Sequence, residues 1–310
     1  MKLAFVFPGQ GSQSVGMLDS FRGNASVESM TSRASSALGR NLDTLIAEGP
    51  AEELNLTVNT QPALLAASYA IYAAWRAAGG REPEVVAGHS LGEYTALVVA
   101  GSLQLEDAVR LVRFRAQAMQ DAVPVGTGAM AAILGLSDDQ VRQACVEAAQ
   151  NEVVEPVNFN APSQVVIAGH AQAVERASEA AKRMGAKRAV SLAVSAPFHS
   201  SLLQPASDLL RRKLAEVSLQ PPRIELINNV DVAIESDPWR IADALARQAA
   251  RPVRWADTIR KMHDAGITHI VECGPGRVLS GLTKRIAPTV QSLSINDAAS
   301  LSATLTELER

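Results

Sequence analysis

Between Gly88 and Gly92 the chain reads Gly-His-Ser-Leu-Gly, and few backbone arrangements accommodate that run. A short apolar stretch of strand type, Val85-Val86-Ala87, precedes it. Glu93-Tyr94-Thr95-Ala96-Leu97-Val98-Val99-Ala100 follows as a buried helix. Glycines two residues either side of a serine let the chain reverse sharply and let strand and helix approach closely. The hydroxyl then stands exposed at the carboxyl end of a sheet. It also sits at a helix N-terminus, where unpaired N–H groups and the helix dipole favour negative charge. Such a place suits a nucleophile, although an ordinary glycine-rich turn between strand and helix carries the same pattern.

A chain of 310 residues, 47% of them hydrophobic, buries a large core and accommodates one big domain or a big one with an insertion. Its net charge is −3, from 29 basic and 32 acidic residues, so no global field draws nucleic acid or an acidic membrane. Recognition of an anionic partner must be local. Cys145 and Cys273 provide no disulfide framework, the apolar run Leu3–Phe7 is too short for a signal core, and no stretch is long enough to span a membrane. The expectation is a cytoplasmic protein that binds neither nucleic acid nor membrane.

Leu3 to Phe7 reads as a fully apolar strand, followed by the loop Pro8-Gly9-Gln10-Gly11-Ser12-Gln13. Gly9 and Gly11 invite a dinucleotide-binding reading. Ser14 stands where the third glycine belongs, however, and no acid closes a second strand about 20 residues on. Backbone N–H groups of this loop could instead complete an oxyanion site. Residues 25 to 48 form a polar helical hairpin, and Asn59-Thr60-Gln61-Pro62 caps a long alanine-rich helix running through Ala78, with Pro62 in its first turn. In the amphipathic helix from Glu106 to Asp121, Arg115 projects from the apolar stripe. A buried guanidinium without a partner is costly, so it pairs either with a core carboxylate or with an acid in the substrate.

From Gly128 to Val194 the pattern changes to strand (128–135), helix (137–150), strand (153–159), strand (164–168), helix (171–184) and strand (187–194). This βαββαβ order is the ferredoxin-like unit. Gly126 and Pro197 flank it, so residues 126–196 are expected as an inserted small domain, with 1–125 and 197–310 forming one larger α/β domain. Farther on, 222–230 reads as a strand, Asp237 to Ala249 as a helix containing Gln248, and Thr268 to Glu272 as the last core strand. Of five histidines, His199 in Ala196-Pro197-Phe198-His199-Ser200 lies at the domain junction, where a cleft is expected. His89 adjoins Ser90 and cannot fold back onto it.

Taken together, Phe7-Pro8-Gly9-Gln10-Gly11-Ser12-Gln13, Gly88-His89-Ser90-Leu91-Gly92-Glu93-Tyr94, Arg115 with Met119-Gln120, Phe198-His199 and Gly274-Pro275-Gly276 resemble the malonyl-CoA:acyl carrier protein transacylases of type II fatty acid synthesis. The resemblance covers essentially the whole chain. It implies an α/β-hydrolase-like domain bearing a ferredoxin-like insertion, and ping-pong transfer of malonate from coenzyme A to the phosphopantetheine thiol of acyl carrier protein, without a cofactor. Matched position by position, it makes Ser90 the nucleophile, His199 its general base and Arg115 the clamp on malonate's free carboxylate. It gives the main-chain carbonyl of Gln248 the orientation of His199, and the N–H groups of Gln10 and Leu91 the oxyanion hole. Gln61 and Asn160 become supporting contacts, and Phe198 the wall that excludes a branched acyl group.

A serine hydroxyl is too weakly acidic to attack a thioester unaided at neutral pH, so an imidazole must take its proton. A serine hydrolase on the same fold is the nearest rival, and a clamp for a carboxylate argues against it. A malonyl transferase of a polyketide synthase or of a malonate decarboxylase system would share the chemistry with another carrier. A monomer is expected.

Overall fold

The computed structural model describes residues 1–309. Leu3-Ala4-Phe5-Val6-Phe7, apolar on both faces, forms β1 (Leu3–Phe7) and is fully buried, as the middle strand of a parallel sheet must be. Four helices follow: α1 (Ala25–Leu38), α2 (Leu42–Glu48), α3 (Ala51–Leu54) and α4 (Thr57–Ala77). Asn24 and Asn41 cap the first two by accepting main-chain N–H groups of the opening turn. The long helix starts two residues earlier than expected, so Pro62 is its sixth residue rather than part of an opening cap. The Asn59 side chain is occupied elsewhere, donating to the Glu53 carbonyl and accepting from Arg40.

The elbow consists of β2 (Val85–Gly88) and α5 (Gly92–Val99), and α6 (Leu105–Asp121) packs beside them. Next come β3 (Gly128–Leu134), α7 (Asp138–Ala149), β4 (Val154–Ala161), β5 (Gln164–His170), α8 (Ala171–Arg183) and β6 (Arg188–Ser191). The chain closes with α9 (Gln204–Leu214), β7 (Glu225–Leu226), α10 (Pro238–Gln248), α11 (Trp255–Asp264), β8 (His269–Cys273), α12 (Val278–Ile286), β9 (Gln291–Ile295) and α13 (Ala298–Leu308).

Two sheets result. Five strands in the order β7-β2-β1-β8-β9 are all parallel, and four antiparallel strands lie in the order β4-β5-β3-β6. Alternation in the second sheet explains how it docks. Ala131, Ile133, Val165 and Ile167 face α7 and α8, whereas Met130, Val166 and Ala168 join the core of the parallel-sheet layer. Its strand β4 is also stitched to the segment after α10, with Phe159 N–H donating to the Val253 carbonyl at 3.0 Å and Val253 N–H to that of Val157 at 2.9 Å.

Three strand expectations need correction. The strand expected over 187–194 ends at Ser191, and Leu192 and Val194 leave the sheet to line a cavity. The strand expected over 222–230 is only Glu225–Leu226, because Asn229 turns toward the elbow. Thr268–Glu272 does not hold the last core strand, since β9 follows. Three of the five residues in Gln291-Ser292-Leu293-Ser294-Ile295 are polar, and it forms an edge strand with little apolar signal.

Candidate active site

At the end of β2 the backbone of Ser90 takes φ +53°, the left-handed conformation that residues other than glycine rarely adopt. The flanking glycines are required by contact. A Cβ on Gly88 would lie 1.8 Å from the Gly92 carbonyl carbon, and one on Gly92 would lie 2.1 Å from the Phe7 carbonyl oxygen. Asn229, fully buried, braces the turn at both ends. Its Oδ1 accepts the Ser90 N–H at 2.7 Å and its Nδ2 donates to the Gly88 carbonyl at 2.7 Å. Two such hydrogen bonds offset a strained backbone costing about 1–3 kcal/mol.

Ser90 Oγ lies 2.7 Å from His199 Nε2, and His199 Nδ1 lies 2.7 Å from the Gln248 carbonyl oxygen. A carbonyl only accepts, so Nδ1 carries the proton and Nε2 is free to take the hydroxyl's. Gln248 is the last residue of α10, where carbonyls lack helical donors and the dipole is negative. A neutral group with partial negative charge therefore aligns the imidazole. His199 is itself at φ +68° and buried. Burial, reinforced by the Arg115 charge, lowers its pKa to about 3, so the ring is neutral at any ordinary pH.

Arg115, on α6, is only 1% exposed. Its Nη1 donates to Gln61 Oε1 at 2.8 Å, and its Nη2 to Gln248 Oε1 at 2.8 Å and Ser90 Oγ at 3.0 Å. Its guanidinium carbon lies 5.3 Å from the centre of the Tyr94 ring. These partners are amide and hydroxyl oxygens and an aromatic face, none of them a carboxylate. Desolvation depresses the arginine's pKa accordingly. The nearest balancing charge is relayed: Gln248 Nε2 donates to Glu93 Oε2 at 2.7 Å, and Glu93 also accepts the Asn229 N–H at 3.0 Å.

The glycine loop after β1 packs on the elbow because Gly9 has no side chain; a Cβ there would stand 2.5 Å from the His89 carbonyl oxygen. This brings Gln10 to the cavity rim, its Nε2 donating to Thr57 Oγ1 at 3.1 Å. Among the described residues, the main-chain N–H groups of Gln10 and Leu91 meet no acceptor. The cavity holds about 130 Å³ and is lined by Ser90, His199, Arg115, Gln61, Phe198 and Met130, among others. It shares Gln10, Leu192 and Val194 with a wider cleft of about 730 Å³ lined by Gln117, Gln120, Thr57 and Ser195.

Of the residues singled out from sequence, the fold brings Ser90, His199, Arg115, Gln248, Gln61, Phe198, Gln10 and Leu91 to this one place. Asn160 stands behind it, with Oδ1 2.8 Å from His89 Nε2, and the asparagine that lines the cavity is Asn158. Sequence reasoning missed Glu93 and Asn229. The signal for Glu93 was a lone carboxylate opening an otherwise apolar helix; Asn229 had none beyond its place at a strand end. Among the described residues no group of three or more His, Cys, Asp and Glu is arranged to hold a metal ion.

A polarised serine beside a neutral imidazole, two free N–H groups and a buried cation can form and break an ester carrying a negative tail. The sequence pattern of the acyl transferase domain family matches residues 4–303. The malonyl CoA-acyl carrier protein transacylase of Salmonella typhimurium is 53% identical over 307 residues, 99% of each chain. The crystal structure of an acyl-carrier-protein S-malonyltransferase from Burkholderia pseudomallei superposes with a TM-score of 0.98 at 61% identity, covering 99% of this chain and 100% of that one. A malonyl-transacylase solved in complex with its type II PKS acyl-carrier protein gives a TM-score of 0.98 at 50% identity, with 99% and 100% covered. With that agreement end to end, the chain belongs to the acyl transferase domain family and, within it, to the malonyl CoA-acyl carrier protein transacylases.

Proposed function

We propose that this enzyme moves a malonyl group from malonyl-CoA to the phosphopantetheine thiol of an acyl carrier protein by way of a malonyl ester on Ser90. The observation that carries the reading is Ser90 Oγ held between His199 Nε2 at 2.7 Å and an Arg115 guanidinium that no protein carboxylate neutralises directly. His199 takes the Ser90 proton as the oxygen attacks the thioester carbonyl. The oxyanion forms against the N–H groups of Leu91 and Gln10, and collapse expels the thiolate, which leaves with the proton from His199. The carrier's thiol then gives its proton to His199 and attacks the ester, reversing the steps. Substrates alternate, so the kinetics are ping-pong.

Arg115 bears on specificity. A guanidinium holds both oxygens of a carboxylate, and in a dry cavity it disfavours an acyl group without one. The cavity of about 130 Å³ suits the acyl group alone, while the wider cleft, with Gln117, Gln120 and Thr57, suits the amide-bearing arm. Phe198 fills space that a branched acyl chain would need, and Gln61 holds the guanidinium.

The same reading takes the fold as α/β-hydrolase-like, residues 1–125 and 197–310, with a ferredoxin-like small domain at 126–196; the order β4-β5-β3-β6 supports the latter. It takes the enzyme as cytoplasmic, cofactor-free and active as a monomer; Ser90, His199, Arg115 and Gln248 meet within a single chain. No helix among the described residues is long and apolar enough to cross a membrane. The relative solved with a type II PKS carrier supports a polyketide carrier as the second reading.

The test is intact-protein mass spectrometry after incubation with malonyl-CoA. One malonyl group on Ser90, absent from Ser90→Ala and discharged by carrier protein, is expected. Stable labelling of Ser90→Ala at the same peptide, or rapid loss of the label to water alone, overturns the reading. Relative discharge by fatty acid and polyketide carriers separates the two carriers.

A further inference from the structure

The steps above make no use of Glu93, yet it is a fully buried carboxylate in the first turn of α5, beneath the nucleophile. Its Oε2 accepts Gln248 Nε2 at 2.7 Å and the Asn229 N–H at 3.0 Å, while Gln248 Oε1 accepts Arg115 Nη2 at 2.8 Å. One glutamine amide therefore joins the carboxylate to the guanidinium. Were Glu93 in direct contact, it would fill the arginine's binding sites and shut out a substrate acid. Were it absent, a buried cation would stand unbalanced before substrate arrives.

The groups facing Glu93 are Arg115 from α6, Tyr94 on its own helix, Gln248 from α10, and Asn229 and Asp231 from the segment after β7. The Asp231 charge is largely spent on Arg247 Nη2, 2.6 Å away. Burial pushes the Glu93 carboxyl up to about 7, against the pull of the Gln248 and Asn229 donors and the Arg115 charge. The bound acyl group brings a second carboxylate into the same dry space, and one guanidinium does not balance two.

Building on the malonyl reading, we propose that Glu93 is the positioning residue and resident counter-ion of the Arg115 clamp, and that it takes up one proton from solvent when the acyl group's free carboxylate occupies that clamp. The substrate carboxylate arrives ionised, Glu93 becomes a carboxylic acid, and arginine, glutamate and substrate together stay neutral. The acid keeps a carbonyl oxygen for the N–H groups of Gln248 and Asn229. The serine proton travels separately, through His199 to the departing thiolate.

The test is kcat/KM for Ser90 acylation from pH 6 to 9, with malonyl-CoA and acetyl-CoA in parallel. The malonyl value should fall about tenfold per pH unit above roughly pH 7, because Glu93 must then be protonated for substrate to bind. The acetyl value should show no such limb, and Glu93→Gln should flatten the malonyl one. In weakly buffered indicator solution at pH 7.5, wild-type acylation should withdraw a large fraction of one proton per Ser90 acylated; this needs no variant, so a poorly folded Glu93→Gln leaves the idea exposed to refutation. A flat malonyl profile, an unchanged limb in folded Glu93→Gln, or no proton uptake overturns it. Failure of the wild type to acylate Ser90 at all would instead sink the malonyl reading.

Discussion

Replacing Arg115 by alanine removes a guanidinium held by Gln61 Oε1 and Gln248 Oε1 at 2.8 Å and by Ser90 Oγ at 3.0 Å. On the proposed reading, two of its N–H groups hold the malonyl carboxylate in the acylated enzyme. Hydrogen bonds to charged groups are worth about 1.5–3 kcal/mol each, so the pair supplies roughly 3–6 kcal/mol, or about 10²–10⁴-fold in kcat/KM for malonyl-CoA. Acetyl-CoA has no carboxylate to lose, and it no longer confronts a buried cation, so its value should hold or rise. The folding cost is separate: two buried amide oxygens lose their donor, at about 1–3 kcal/mol each, and Glu93 loses its balancing charge. Thermal denaturation shows whether the variant remains folded. The assay is rapid quench with intact-mass detection of acyl-Ser90 for both thioesters, read as the malonyl-to-acetyl ratio. A drop of at least about 10²-fold in that ratio is expected. Equal losses for both thioesters would mean that Arg115 merely supports Ser90 and Gln248, and the clamp argument would be refuted.

Asn229→Ala should cost stability, by about 1–3 kcal/mol in urea denaturation, and also slow acylation, because the Ser90 N–H and the Gly88 carbonyl both lose their partner. A loss of stability without any loss of rate would free the elbow from this brace. Phe198→Ser should raise methylmalonyl-CoA kcat/KM relative to malonyl-CoA by about 10-fold or more, since the ring lines the acyl cavity; an unchanged ratio assigns Phe198 to packing alone. His199 has a pKa of about 3 in the fold against 6.5 in the unfolded chain, so unfolded chains bind more protons between those values. Its contribution is complete above pH 6.5 and is lost as pH falls toward 3, by at most about 5 kcal/mol. Urea midpoints measured across that window should fall less steeply in His199→Ala. Glu93 acts with opposite sign, contributing fully below pH 4.5 and losing that contribution as pH rises through about 7.

Much of this molecule is written locally. The buried parallel strand at Leu3–Phe7, the glycine-flanked turn at Ser90 and the amphipathic period of α6 each depend on neighbours within a few residues, so they are legible in one dimension. The same holds for the order of elements from β3 to β6. Local signals fail where an element's end is set by a distant partner: β6 stops so that Leu192 and Val194 can line the cavity, and β7 stops so that Asn229 can reach the elbow. The edge strand β9 was hidden because three of its five residues are polar.

The site divides the same way. That Ser90 sits on a sharp turn follows from Gly88 and Gly92 alone, and that Arg115 must find a partner follows from its place in an apolar stripe. Which partner it finds does not follow, because burial sets the need for compensation whereas folding sets the geometry of what compensates. Gln248, 133 residues away along the chain, is brought by the end of α10 to touch His199 with its carbonyl and Arg115 with its side chain. Glu93 stands three residues from the nucleophile, so the sequence alone determined that a carboxylate would be near. Only the tertiary structure decided that one amide would separate it from the guanidinium, so that no carboxylate touches that cation directly.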